Sequence, residues 1–102
     1  MIFMVSENPL FREIILESLA QFKDQCIELE PDQALPLLCE MQPEIIIIDK
    51  SISPLMYEGL LREARELAKT RTIIVNPQDD EMLLLDSRKT TLKKIEDIME
   101  AI

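Results

Sequence analysis

The chain has 102 residues, 47% of them hydrophobic and 30% charged, with a formal charge of −9. That is enough for one domain with one core (1–102), and too apolar for a disordered tail. With no histidine, His-dependent metal sites and Ser/His or Cys/His catalysis are excluded, and the negative field repels phosphate backbones, so nucleic acid is not an expected partner.

No apolar run approaches the roughly 18 residues of a membrane span. The opening MIFMV has no basic flank and does not read as a signal peptide. A cytoplasmic protein without membrane contact is expected. Cys26 and Cys39 are too few for a disulfide framework or a zinc site and read as small core residues.

Met1 to Val5 is a continuous apolar run and predicts a buried strand. Asn8 and Pro9 then supply a cap and a first helical residue. Leu10, Phe11, Ile14, Ile15, Ser18, Leu19 and Phe22 follow at helical spacing. Cys26, Ile27 and Leu29 predict a short second strand. A second helix starts near Pro31 and carries Ala34, Leu35, Leu37, Leu38 and Met41; with that start, Pro36 predicts a local kink.

Ile45 to Ile48 is β-branched throughout and shows no alternation. Such a strand is buried on both faces, as in a parallel sheet with helices on each side. Ser53-Pro54 repeats the cap-then-proline signal and opens a third helix through Leu60, Leu61, Ala64 and Leu67. Gly59, the only glycine, falls inside it and is read as close packing or, alternatively, a mere local weakness of the helix. Thr72 to Val75 predicts a fourth strand and Met82 to Leu85 a fifth. Thr90 or Thr91 is read as the cap of a last helix with Leu92, Ile95, Ile98, Met99 and Ile102 on its apolar face.

The order β-α-β-α-β-α-β-β-α argues for a doubly wound α/β sheet. Only Asn76 to Glu81 separate strands four and five, whereas a parallel crossover needs about a dozen residues or more. Strand five is therefore expected to pair antiparallel, as a hairpin at an exposed sheet edge.

Two blocks resemble the receiver domains of two-component response regulators. One is IFMVSENPLFREIILESLA, with Pro9-Leu10-Phe11-Arg12-Glu13 opening the first helix. The other is QPEIIIIDKSISP, whose third strand ends on Asp49. The resemblance covers roughly residues 1–76. It implies a flavodoxin-like, receiver-like sheet, here with the fourth helix missing, and Asp49 as the phosphoacceptor position. It also implies Mg2+ held by Asp49 and Glu7, and phosphate contacts near Asn76 and Arg88 or Lys89. The set is incomplete: the acidic pair appears as Ser6-Glu7, and Asn76 has no hydroxyl.

The expectation is thus a degenerate receiver, or pseudo-receiver, acting as a protein-interaction or dimerisation module and not as an enzyme. Its partner would be a sensor kinase, an output domain or a second copy. The contact surface is placed on Met82, Leu83, Leu84 and Leu85 with Ile95 and Met99, in a homodimer covering the open edge. One alternative is an active receiver phosphorylated on Asp49. Another is a small α/β regulator similar to the anti-sigma-factor antagonists, with Ser51 or Ser53 as its site.

Overall fold

A computed structural model describes residues 1–86 and 89–101. The first strand, β1, spans Ile2–Val5 and leads into helix α1, Pro9–Ser18. The Asn8 side chain accepts the Leu10 N–H at 3.0 Å and Pro9 takes the first helical position, as its sequence predicts. The helical spacing that continues to Phe22 outlasts the helix: after Ser18 the chain tightens into a 3-10 segment, Ala20–Gln25.

Strand β2 (Cys26–Leu29), helix α2 (Pro31–Met41) and strand β3 (Ile45–Asp49) follow. Helix α2 starts at Pro31 and runs unbroken past Pro36 to Met41, where Gln42 ends it in a left-handed conformation (φ 45°). Helix α3, Pro54–Glu66, opens with the Ser53 hydroxyl accepting the Met56 N–H at 3.3 Å. Strands β4 (Arg71–Asn76) and β5 (Glu81–Asp86) complete the predicted strands.

The mixed sheet has the order β2-β1-β3-β4-β5-β6, where β6 is Lys89–Lys94. Strands β1 to β4 are mutually parallel. The expected reversal is present: β5 runs antiparallel to β4, with Asn76 opposite Glu81. Ile45 to Ile48 lie in the centre of the parallel part, each at most 5% exposed. Full burial of each such side chain contributes about 1.5–3 kcal/mol.

One face of the sheet packs Ile2, Met4, Ile47, Ile73 and Met82 against Phe11, Ile15 and Leu19 of the first helical region and against Ile98. The other packs Phe3, Val5, Ile46 and Ile48 against Ala34 and Leu38 of α2 and Leu60 and Ala64 of α3. Helices on both faces of a mainly parallel sheet make this a doubly wound α/β domain. No helix among the described residues is long and apolar enough to cross a membrane.

The C-terminal reading is corrected. Thr90 and Thr91 do not cap a helix; they lie in β6, with Thr91 opposite Leu84 and Thr90 opposite Leu85. A 3-10 turn, Ile95–Asp97, and a short helix α4, Ile98–Ala101, come only afterwards. Two β-branched residues beside an unpaired strand edge favour extended pairing, because β5 offers its open N–H and C=O groups there. Ile102, assigned to the same helical face, lies outside the described residues.

This correction changes the proposed contact surface. Strand β5 is internal, closed by β6, so the exposed edge that motivated a homodimer is not there. Met82 is fully buried, and Leu84, Ile95 and Met99 pack against the core on the α1 side. Leu83 and Leu85 are half-buried, and alternation along the strand puts them on the opposite face. Gly59 is also less constrained than expected. A methyl group there would meet only Leu35 side-chain carbons at 3.8 Å, an ordinary contact.

Candidate functional site

Register brings the site together. Val5 lies beside Ile48, so the next residues along the two parallel strands, Ser6 and Asp49, stand side by side. Strands β2 and β3 flank β1, so the chain reverses its direction of winding between β1 and β3. This is the place where doubly wound sheets open a crevice for ligands.

Asp49 is only 1% exposed and Ser6 is fully buried. The Ser6 hydroxyl donates to Asp49 Oδ2 at 2.7 Å. On the other side, Asp49 Oδ1 accepts the Ser51 N–H at 2.9 Å and the Ser51 hydroxyl at 2.6 Å. Both carboxylate oxygens are therefore engaged. Bonds to an ionised acceptor are each worth about 1.5–3 kcal/mol.

The surrounding backbone is tied as well. The Asn8 N–H donates to Ser6 Oγ at 2.9 Å, leaving the Ser6 hydroxyl proton for Asp49. Ser6 N–H reaches Leu29 O, Lys50 N–H reaches Val75 O, and Ile52 N–H reaches Asp49 O. The segment 49–52 thus folds into a short turn around the carboxylate, with Ile52 buried beneath it.

Glu7 and Asn76 have surroundings of their own. Glu7 is exposed and lines a separate cleft of about 290 Å3 with Glu30, Pro31, Asp32 and Met56. Among the described residues, no three carboxylate or thiol side chains gather as a metal-holding group. Asp49 does not line the Glu7 cleft, and Ser6 occupies the position beside Asp49.

Asn76 ends β4 and ties down the β4–β5 turn. Its Oδ1 accepts the Gln78 N–H at 3.2 Å and its Nδ2 donates to Asp79 Oδ2 at 2.9 Å. Lys89 stands opposite Asp86, at the far end of the antiparallel strands from Asp49. Four residues of strand, about 13 Å, separate the two levels of the sheet. The hairpin is the cause: reversing β5 carries Asp86 and Lys89 away from the edge where a phosphate contact would be needed. Arg88 lies outside the described residues.

Sequence reasoning placed Asp49 at the right strand end but missed its partners. Ser51 carries a readable signal, since an Asp followed two residues later by Ser is a recurrent local hydrogen-bonding pattern. Ser6 carries a weaker one. It is recognised only once β1 and β3 are known to be neighbours in register.

No family model matches this chain, and no curated protein or solved structure matches it either.

Proposed function

We propose that the chain is a degenerate receiver, a pseudo-receiver that signals through protein contacts and not through phosphorylation. The observation that carries this reading is the state of Asp49. Serine hydroxyls donate to both its oxygens, and among the described residues no group of three carboxylate or thiol side chains gathers to hold a cation. A carboxylate accepts a phosphoryl group when a divalent cation neutralises both it and the incoming phosphate. Ser6 supplies a neutral donor where such a cation would need another carboxylate.

The frame supports the receiver-like part of the proposal. Parallel order β2-β1-β3-β4, with α1 on one face and α2 and α3 on the other, is a doubly wound frame and supports a flavodoxin-like reading. The chain departs from it after β4, where a short turn replaces the fourth crossover helix. The partner is proposed to be a signalling protein, such as a kinase or an output domain.

Incubation with acetyl phosphate and Mg2+, followed by intact-mass measurement, tests the proposal. A phospho-accepting Asp49 would attack the phosphorus, form an acyl phosphate and release acetate, adding one phosphoryl mass. The expected result is no addition. Stoichiometric addition that disappears in Asp49→Asn would overturn the reading and establish an active receiver.

A further inference from the structure

The sheet is covered unevenly. Strands β1 and β3 are buried on both faces. Among the described residues, β5 and β6 are covered on the face where Met82 and Ile98 are fully buried in a common core. On the opposite face, the register places Leu83 level with Ile74 on one side and Leu92 on the other. Leu92 is 62% exposed. A hollow of about 100 Å3 lies between these residues and Tyr57 of α3, with Lys50 and Asn76 at its end.

Among the described residues no helix crosses this trough between β4 and β5, because four residues carry the chain directly from one to the other. The trough continues past Leu92 into a second hollow of about 510 Å3, bordered by Asp79, Asp80, Glu81, Asp97 and Lys94. Among the described lining residues, four are carboxylates and one is an ammonium. An apolar floor with an acidic end selects an occupant with the converse pattern.

A second copy is a poor complement, since it would bring another charge of −9. Strand addition is disfavoured as well. The outer strand, β6, carries Lys89, Lys93 and Lys94, and lysine-rich edges resist pairing. We propose that this trough is the docking site for a basic amphipathic helix of a partner protein. This rests on the interaction-module reading above and names the chemistry of the partner. A six-residue strand is about 20 Å long, the length of a helix of about 13 residues. Its apolar residues, at i, i+3, i+4 and i+7, would meet Leu83, Leu92 and Tyr57. Its lysines and arginines would lie over Asp80 and Asp97.

The test is a displayed library of helical peptides, about 14 residues long with apolar residues fixed at that spacing and all other positions free. Selection is on the intact chain, with counter-selection on Leu92→Asp. The expected result is enrichment of positively charged sequences. A synthetic copy of the winner should perturb the resonances of Leu83, Leu92 and Tyr57 and weaken about tenfold or more on Leu92→Asp. Joint neutralisation by Asp80→Asn and Asp97→Asn should weaken it about three- to tenfold. Tyr57→Ser, on a different element, carries the same test if Leu92→Asp fails to fold.

Enrichment of acidic peptides, or of none sensitive to Leu92 or Tyr57, would overturn the proposal. So would a dimer of the chain alone that Leu92→Asp dissociates, since the occupant would then be a second copy. Labelling of Asp49 with peptide binding intact would remove the pseudo-receiver reading and leave the docking site standing. An unlabelled Asp49 without peptide binding would do the reverse.

Discussion

Ser6 and Asp49 are 43 residues apart in the chain, and their side chains meet at 2.7 Å across the two strands between which the sheet changes direction. The bond closes the crevice at its base. A serine there gives the carboxylate a neutral donor and keeps it buried, without the second negative charge that a cation would need.

Removing either partner should cost stability. Ser6→Ala is expected to destabilise by about 1–3 kcal/mol, because it removes a hydrogen bond to a buried carboxylate. Asp49→Ala should cost more, about 2–4 kcal/mol, since Ser6 and the Ser51 N–H both lose their acceptor. Denaturant unfolding of the two single variants and the double variant would measure the coupling. A coupling near zero would contradict the bond.

Tyr57 gives a pH prediction that can be read directly. Burial raises its phenol above the ordinary value of 10.0, and the nearby Arg65 partly offsets this. The folded state therefore holds the phenolic proton more tightly than the unfolded state. The corresponding stability is fully present below the unfolded value and is lost as pH rises through the folded one. Tyr57 is the only tyrosine and there is no tryptophan, so tyrosinate absorbance follows this residue alone. Arg65→Gln should raise the midpoint further. A midpoint at or below that of the unfolded chain would refute the assignment.

Gly59→Ala should stabilise the domain by about 0.5–1 kcal/mol, because it lowers the backbone entropy lost on forming α3. The added methyl meets Leu35 at 3.8 Å, so no repacking is needed. A drop in thermal midpoint would mean that α3 and α2 lie closer than described.

Thr90→Ala combined with Thr91→Ala separates the two readings of the C-terminal region by sign. In β6 the double change should cost about 0.5–1 kcal/mol, since alanine fits an extended strand less well than threonine. In a helix the same change would stabilise, alanine being the better helix former. A rise in stability would restore the helical reading.

Much of the parallel half was legible because its signals are local and mutually consistent. Asn8-Pro9 and Ser53-Pro54 mark helix starts by their hydrogen-bonding chemistry, and both caps are present. Ile45 to Ile48 leaves little choice but a doubly covered strand. The C-terminal segment failed because Leu92, Ile95 and Ile98 also fit helical spacing. Leu92 in fact lies on the opposite face of the sheet from Ile98. Only the open edge of β5 decides between the patterns, and that edge is a tertiary fact. The candidate site was half legible for a similar reason: Asp49 is marked by its own strand, whereas Ser6 becomes its partner through register.

The hairpin after β4 also divides the sheet by how soon its strands can find one another. β4, β5 and β6 pair in succession, and each pairing closes only a short stretch of chain, such as Thr72 to Leu85. β1 must wait for β3, with two helices and a strand in between. Loop closure makes the first kind of contact faster, so the antiparallel end is poised to form early and offer β4 as a ready edge. The Ser6–Asp49 bond would then be among the last links made, a latch set once the slow parallel half has docked.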